Sequence, residues 1–203
     1  MLYFVLAIGS YLLGAVPFGV LTANARGIDL MSVGSGNIGA TNVARALGWK
    51  LGVLVFVLDI LKGTVPVLVA ARMPGSADFA VLFGVAAVVG HTFSPFLKFK
   101  GGKGIATSLG VLFGTAPLVG AVGFGVFLVF FAATRIVSLS SLVGSIAVLV
   151  SAVLFKESWV VLAVFVPLVA FVFVRHKSNI QRLLKGQEPK LIFKNSRKDA
   201  DGK

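Results

Sequence analysis

Long apolar runs alternate with short, polar, glycine-rich segments along the chain. The first run, residues 2–23, carries no charge and has the length of about 20 residues that crosses a bilayer as a helix. Pro17 predicts a kink within it. Four further apolar runs follow, at residues 51–71, 79–89 with their flanks, 138–155 and 158–174, and the first of these contains two charged residues. The pattern predicts an all-α integral membrane protein built as one helical bundle.

Residues 105–134 form a run of 30 residues without a charge, too long for one ordinary span and short for two. Pro117 lies near its middle. Two crossings that turn near Pro117 leave the basic segments on one side of the membrane, which the positive-inside tendency favours. Those segments are residues 24–50, 92–104, 134–138 and 175–203. We therefore predict seven spans, with the N-terminus outside, the C-terminus cytoplasmic and the polar motif loops on the cytoplasmic face.

This topology divides the chain into one membrane domain and a tail. Residues 1–188 are predicted to form a single transmembrane domain. Residues 189–203 are polar and basic, and we expect them to be disordered, although residues 191–193 have apolar side chains that would touch a surface. Residues 175–186 predict an amphipathic helix at the membrane interface that ends at Gly186.

Composition supports a membrane protein and removes several kinds of chemistry. Hydrophobic residues make up 57% of the chain and charged residues 13%, against about 45–50% and 25% in soluble domains. There is no cysteine, which excludes disulfides, thiolate metal sites and cysteine nucleophiles. The two histidines argue against a polyhistidine metal site. We expect no metal and no cofactor. The net charge of +12 lies between and after apolar runs, which favours membrane orientation and anionic ligands over nucleic acid.

The first candidate site segment reads G-S-G-N-I-G-A-T-N-V-A-R, residues 34–45. Its glycines open the backbone, and a helix that starts near Ala40 would point N–H groups at an anion. Arg45 can hold phosphate oxygens with two parallel hydrogen bonds. The alternative is a polar loop that caps a helix. The candidate substrate contacts in this segment are Gly34, Ser35, Gly36, Asn37, Thr41, Asn42 and Arg45.

The second segment contains F-K-G-G-K-G, residues 99–104, between apolar runs. Glycine allows the backbone to approach an anion closely, and lysine supplies a compact charge that suits a phosphate. The alternative is a basic loop that only orients the protein. The candidates here are His91, Gly101, Gly102, Lys103 and Gly104, and His91 is equally consistent with a structural hydrogen bond.

A third group of polar residues lies further along the chain. Ser138 and Ser141 begin the sixth predicted span, and His176, Asn179 and Arg182 follow the seventh at spacings of three, which places them near one helix face. An ordinary basic interfacial helix would show the same row. The topology brings all three segments to the same side of the membrane.

Three further charged residues need an interpretation. Asp59 and Lys62 lie three apart within the second span and share a helix face. Charges inside a span are costly, so they form either a structural ion pair or part of an active cavity. Glu188 is predicted to be a structural partner for one of the many cations.

These segments, with V-S-L-S-S from residue 137 and R-H-K-S-N-I-Q-R-L-L-K-G-Q-E from residue 175, resemble the three motifs of the bacterial acyl-phosphate:glycerol-3-phosphate acyltransferases of the PlsY type. The resemblance covers about residues 1–188. It implies a seven-span enzyme of the bacterial inner membrane with a cytoplasmic active site. The enzyme would move a fatty acyl group from acyl phosphate to the 1-hydroxyl of sn-glycerol 3-phosphate, giving lysophosphatidic acid and phosphate.

The resemblance also implies roles for individual residues. The glycine–lysine motif, residues 101–104, would bind glycerol 3-phosphate. The polar residues of the other motifs correspond here to Ser35, Asn37, Thr41, Asn42, Arg45, Ser138, His176 and Asn179.

An acyl phosphate is already activated, so the protein has to hold two anions, align the hydroxyl with the carbonyl and stabilise negative charge. We expect direct transfer without an acyl-enzyme. The proton acceptor is either His176 or a phosphate oxygen of a substrate. The predicted catalytic residues are Ser35, Arg45, Lys103, His176 and Asn179. The predicted substrate-binding residues are Gly34, Gly36, Asn37, Thr41, Asn42, His91, Gly101, Gly102, Gly104, Ser138 and Ser141.

The expected partners are glycerol 3-phosphate, acyl phosphate, the lipid bilayer and the soluble enzyme that makes acyl phosphate, with the protein itself a monomer that binds no nucleic acid. A membrane transporter of a phosphorylated or other anionic solute is the competing class, and a scaffold without activity is a third. A transporter typically has internal repeats and a site at the bilayer midplane, which this sequence does not suggest. Spacing alone does not distinguish acyl phosphate from another activated acyl donor.

Overall fold

Ten α-helices build the part of the chain that the computed structural model describes, residues 1–75 and 79–192. A short 3-10 helix, Pro95–Leu97, follows the fifth of them. In chain order the α-helices are α1 Leu2–Ala15, α2 Phe18–Asn24, α3 Ala40–Leu47, α4 Trp49–Ala71, α5 Ala80–Thr92, α6 Ile105–Thr115, α7 Pro117–Thr134, α8 Val137–Leu154, α9 Trp159–Arg175 and α10 Lys177–Leu184.

The predicted kink at Pro17 is a complete break between α1 and α2. Proline has no N–H, so carbonyls of the preceding turn lose their helical donors. Side chains replace those donors: Lys62 Nζ donates to Val16 O at 3.0 Å, and Ser94 Oγ donates to Ala15 O at 2.7 Å. The break is therefore fixed by residues of α4 and of the segment after α5.

Asp59 and Lys62 form a buried ion pair on α4. Lys62 Nζ lies 2.8 Å from Asp59 Oδ1, and the two side chains are 1% and 4% exposed. Buried charges are stable only when they are paired and hydrogen-bonded, and Lys62 meets both conditions through Asp59 and Val16. The structural interpretation of this pair is the one that these contacts favour.

The long uncharged run divides at Pro117, as predicted, into α6 and α7. Pro117 occupies the first turn of α7, where a missing N–H costs nothing. The division is unequal. The 11 residues of α6 extend about 16 Å, roughly half the apolar thickness of a bilayer.

Five helical segments of the described residues are long and apolar enough to cross a membrane. They are Leu2–Asn24, Trp49–Ala71, Ala80–Leu97, Pro117–Thr134 and Val137–Leu154. The pair α9 and α10, bent by 61° at His176, makes a sixth if it is taken as one segment. The fold is that of an all-helical integral membrane protein, as predicted, with α6 too short to be counted by length alone.

Small residues bring α6 against α4. A Cβ on Gly63 would overlap Thr107 of α6, and one on Gly110 would overlap Ile60 of α4, so both positions need glycine. Such close backbone approach is how membrane helices gain packing contacts. The apolar core continues between these helices and α5, α7, α8 and α9. This packing fixes the start of α6, which carries the second polar segment.

The chain after α10 returns to the bundle. The N–H of Leu191 donates to Arg135 O at 2.8 Å, and Leu191 is 6% exposed. Of the described residues in the tail predicted to be disordered, Leu191 lies against the helices, while residues 189, 190 and 192 are exposed. Its remainder, residues 193–203, falls outside the described part of the chain.

Candidate active site

Lys103 and Asn179 connect the second and third polar segments. Lys103 Nζ donates to Asn179 Oδ1 across 76 residues of sequence. The other side of the same amide, Asn179 Nδ2, donates to Glu188 Oε1 at 2.5 Å. The loop before α6 and the face of α10 thus meet.

Glu188 lies at the centre of this cluster. Its Oε1 also accepts from Ser138 Oγ at 2.7 Å, and its Oε2 accepts from Arg182 Nε at 2.7 Å. Burial raises the pKa of the Glu188 carboxyl, but the hydrogen bonds from Ser138, Asn179 and Arg182 outweigh it and hold the pKa below its usual value. Glu188 is the partner for cations that the sequence predicted, and it joins α8 to α10.

Arg45 brings the first polar segment to the cluster. Its guanidinium donates to Pro189 O at 3.2 Å, beside Glu188. Burial lowers the pKa of Arg45, Glu188 raises it and Arg182 lowers it further. Even so, arginine keeps its charge at any physiological pH. Arg45, Lys103 and Arg182 therefore form a cationic group around one carboxylate.

Lys103 is the cation whose charge depends most on this environment. Burial is the largest effect and lowers its pKa, Glu188 raises it, and Arg182, Arg175 and Arg45 lower it again, to about 8. The ammonium is protonated at neutral pH but loses its proton more readily than an exposed lysine. An arriving anion would oppose the desolvation effect and favour the charged form.

His176 lies at the bend between α9 and α10 and is 3% exposed. Its Nδ1 lies 2.8 Å from Val172 O, a carbonyl that accepts only, so Nδ1 carries the proton and Nε2 is the unprotonated nitrogen. Burial, followed by the charge of Lys103, lowers the pKa of His176 to about 4. The imidazole is neutral at physiological pH and is a weak base.

The glycine–lysine loop is held by backbone contacts. The N–H of Gly101 donates to Thr92 O at 3.0 Å, and the N–H of Gly102 donates to His91 O at 3.1 Å. Arg175 donates to the Gly102 carbonyl at 3.0 Å. Both N–H groups therefore have partners within the protein, and these glycines permit close packing of the loop. Phosphate binding by this loop stays a prediction.

Gly104 and His91 complete this loop. Gly104 has φ +81°, a conformation that favours glycine, and it precedes the first residue of α6. His91 is 5% exposed, and a Cβ on Gly102 would overlap its Nε2. His91 Nδ1 lies 3.9 Å from Asp59 Oδ1. The imidazole thus packs between the ion pair of α4 and the loop. This position favours the structural interpretation of His91 over a substrate contact.

Asn42 is committed to the first loop. Its Nδ2 donates to Leu30 O and Val33 O, each at 3.0 Å, and its Oδ1 accepts the N–H of Ser35 at 2.9 Å. The residue is 1% exposed. Asn42 therefore shapes the loop through an amide whose oxygen and nitrogen both have partners within the protein. Its substrate contact stays a prediction.

The other residues of the first loop remain predicted substrate contacts. Ser35 is exposed, and Asn37 Oδ1 accepts the N–H of Gly39 at 3.0 Å while its amide nitrogen stays available. Gly34 has φ +60° and Gly36 has φ +65°, so the chain turns twice around Ser35. Thr41 lies in the first turn of α3, half-buried.

An apolar cavity lies beside the charged cluster, between α4, α6, α7, α8 and α9. Ser141, predicted to bind substrate, lines it and is 5% exposed. On α6 the lining residues are Ile105, Ser108, Leu109 and Leu112; on α8 they are Ser141, Gly144, Ser145 and Val148; on α9 they are Phe165, Leu168, Val169 and Val172. Phe56 of α4 and Phe124 of α7 stack at 6.0 Å on its wall.

The sequence did not identify Arg175 or Ser108 as site residues and gave Glu188 only a structural role. Arg175 and Glu188 lie inside the third motif, and that membership is what could have identified them from the sequence. Their spacing does not indicate which residues they contact. Within residues 1–75 and 79–192, no group of three or more histidine or carboxylate side chains is placed to hold a metal ion.

Comparisons with known proteins agree on one family. The family model for glycerol-3-phosphate acyltransferases matches residues 4–186. A glycerol-3-phosphate acyltransferase of Aquifex aeolicus is 47% identical over 186 residues, 90% of this chain and 96% of that protein. One of Bacillus velezensis is 44% identical, over 94% of this chain and 98% of that protein.

The fold agrees with a solved structure of the same kind. The crystal structure of PlsY (YgiH), an integral membrane glycerol 3-phosphate acyltransferase, in its glycerol 3-phosphate form matches with a TM-score of 0.88 at 44% identity, over 92% of this chain and 94% of that one. Its lysophosphatidic acid form matches with a TM-score of 0.86 at 43% identity. The chain belongs to the glycerol-3-phosphate acyltransferase family.

Proposed function

We propose that this acyltransferase moves a fatty acyl group from acyl phosphate to the 1-hydroxyl of sn-glycerol 3-phosphate, releasing lysophosphatidic acid and inorganic phosphate. The observation that carries the proposal is an apolar cavity that leads away from a cluster of partly buried cations. An acyl phosphate has the matching two parts, a hydrocarbon chain and an anionic head.

On each of the three helices that form most of the cavity wall, the lining residues extend away from the charged cluster. The lining residues run from 105 to 112 on α6, from 141 to 148 on α8 and from 172 back to 165 on α9. In each helix the first of these positions lies next to the cationic group: Lys103 precedes α6, Ser138 begins α8, and His176 follows α9. The wall therefore extends about 10 Å from the charged end, and we infer that the acyl chain lies along it.

Two anions have to be close together during the reaction, and the charged cluster suits this demand. Arg45, Lys103 and Arg182 surround Glu188, so the cations outnumber the carboxylate. Lysine and arginine are the usual phosphate partners. We assign the glycerol 3-phosphate to the Lys103–Asn179 side, with Ser35, Gly34, Gly36, Asn37, Thr41 and Gly104 as further predicted contacts.

The transfer requires no covalent intermediate, because phosphate is a good leaving group and the donor is already activated. Orientation and stabilisation of negative charge supply the catalysis. For the proton, a substrate phosphate is the better acceptor: its second pKa is about 6, above the pKa of about 4 that burial gives His176. His176 then orients a substrate through Nε2.

We further propose seven membrane segments with the N-terminus outside and the C-terminus and active site on the cytoplasmic side of the bacterial inner membrane. The short helix α6 is the seventh segment. Because α6 is only about 16 Å long, the loop at 101–104 would lie within the depth of the lipid layer. That depth is where the carbonyl end of the acyl chain would lie. The proposed catalytic unit is a monomeric domain of residues 1–188. The soluble enzyme that makes acyl phosphate would supply it with the donor.

Purified protein in lipid nanodiscs, given palmitoyl phosphate and glycerol 3-phosphate, tests the proposal. Phosphate release should require glycerol 3-phosphate, and lysophosphatidic acid should accumulate in equal amount. Palmitoyl-coenzyme A in place of palmitoyl phosphate should give no product. Uptake of glycerol 3-phosphate into vesicles without acylation would instead indicate a transporter.

Lys103→Met should raise the apparent KM for glycerol 3-phosphate by about 10- to 100-fold, the usual effect of losing a charge-assisted hydrogen bond. Lys98→Met is the matched control, because Lys98 is exposed in the same loop region. Equal KM values for the two variants would contradict the assignment of Lys103.

A further inference from the structure

Ser108 carries a buried hydroxyl that no role above uses. It lies on α6, four residues after Gly104, is 7% exposed and lines the apolar cavity. Its Oγ has no hydrogen-bond partner among the described residues. A buried hydroxyl without a partner costs free energy, and in this position it faces the space that a ligand would fill.

The position of Ser108 is close to the charged end of the cavity. Its Oγ lies 3.9 Å from the point that a Cβ on Gly104 would occupy, next to Lys103 in the chain. Gly104 gives α6 no side-chain cap, so the first-turn N–H groups and the positive end of the helix dipole face the same region. The hydroxyl of Ser145 on the opposite wall already donates to Ser141 O at 2.7 Å.

We propose that the Ser108 hydroxyl donates a hydrogen bond to the carbonyl oxygen of the acyl donor and stabilises the negative charge that develops on it. This inference rests on the proposed function. If the acyl chain lies in the cavity and the phosphate at the cations, the carbonyl group between them lies at the cavity mouth, beside the first turn of α6. Ser108 would then be a catalytic residue.

In the step concerned, the 1-oxygen of glycerol 3-phosphate forms a bond to the carbonyl carbon, and the carbonyl oxygen becomes negatively charged. The bond from that carbon to the phosphate oxygen then breaks, the carbonyl re-forms, and inorganic phosphate leaves. The hydroxyl proton of glycerol passes to a phosphate oxygen. Ser108 keeps its own proton throughout and contributes only the hydrogen bond, which is strongest when the charge on the carbonyl oxygen is largest.

Steady-state kinetics of Ser108→Ala test this role. Loss of one donor to an oxyanion costs about 100-fold or more in kcat, and we expect that loss with the KM for glycerol 3-phosphate changed less than about threefold. Ser108→Thr keeps a hydroxyl and should recover part of kcat. Thr107→Val is the matched control, because Thr107 is the neighbouring residue on α6 and is also buried, with no hydrogen-bond partner for its hydroxyl among the described residues, but it does not line the cavity.

Thermal unfolding separates catalysis from structure. Removing an unpartnered hydroxyl should leave the melting temperature of Ser108→Ala equal to or above that of the wild type. A non-reactive donor with a methylene group in place of the bridging anhydride oxygen gives a second readout. Its carbonyl stretching frequency should be lower when bound to the wild type than to Ser108→Ala, since a hydrogen bond weakens the C=O bond.

The outcomes distinguish this inference from the function on which it rests. A wild-type protein that makes no lysophosphatidic acid would refute the proposed function itself. An active wild type with unchanged kcat and carbonyl frequency in Ser108→Ala would refute only the role of Ser108. A loss of kcat equal to that of Thr107→Val would also refute it, because the effect would then belong to helix packing.

Discussion

Glu188 brings a negative charge into a site whose other ionised groups are cations. Its contacts explain why that charge is useful. Because Asn179 Nδ2 donates to Glu188, the amide oxygen of Asn179 faces Lys103. The same carboxylate fixes Ser138 and Arg182. A single acidic residue thus sets the orientation of three donors before any substrate arrives.

We predict that Glu188→Gln lowers kcat/KM for glycerol 3-phosphate by about 10- to 100-fold, since charge-assisted hydrogen bonds are lost and the Asn179 amide is free to turn. Initial-rate kinetics measure this effect. Glu157→Gln, a change of the same kind in the turn between α8 and α9, is the control and should leave the rate unaltered. A Glu188 variant that retained more than half of the wild-type rate would show that the carboxylate does not organise the site.

At the scale of elements, the important junction is the one from α5 through the glycine–lysine loop to α6. Carbonyls at the end of a helix lack N–H partners within the helix. Gly101 and Gly102 supply those partners at the end of α5, and Arg175 of α9 holds the loop from its other side. The loop is thus a packed connection between three helices, which positions Lys103 at the start of α6.

Gly101→Ala should therefore destabilise the protein and reduce activity together. A Cβ at this position would lie 2.6 Å from Thr92 O and would also overlap His91 O, both backbone atoms that cannot move aside. Gly125→Ala on α7 is the control, because a Cβ there meets nothing within 4 Å and alanine favours helix. Thermal unfolding in detergent measures the difference; equal melting temperatures for the two variants would disprove the packing role of Gly101.

At the scale of the whole molecule, the depth of the cavity determines how activity depends on the length of the acyl chain. The lining residues farthest along their helices from the charged cluster are Leu112, Val148 and Phe165, from three different helices. The distance from these residues to the charged cluster sets the length of acyl chain that the cavity wall contacts. This depth depends on the packing of the bundle as a unit.

Val148→Phe should fill the far end and reduce kcat/KM about tenfold for a 16-carbon donor, while an 8-carbon donor is used nearly as before. A tenfold loss corresponds to about 1.4 kcal/mol, which lies within the usual cost of overpacking an apolar site. Val150→Phe is the control on the same helix, since Val150 is 54% exposed on its outer side. Competition between the two donors in one assay gives the ratio directly; an unchanged ratio would mean that the chain lies elsewhere.

The sequence by itself determined the elements of this protein. Apolar runs of bilayer length specify helices because backbone groups in lipid have to be satisfied internally. Pro17 and Pro117 divide two of those runs because proline cannot continue the hydrogen-bond pattern. The polar motifs between the runs identified Lys103, Asn179, Ser138 and Arg45 as a group, since local charge and glycine content are visible in one dimension.

Only the tertiary structure decided which atoms meet. The contact of Lys103 with Asn179 spans 76 residues, and that of Arg45 with Pro189 spans 144, so neither follows from local spacing. The packing also used the N–H groups of Gly101 and Gly102 and the amide of Asn42 for internal bonds, because buried polar groups take the nearest partners that the fold supplies. The same packing left Ser108 without one, at the mouth of the cavity.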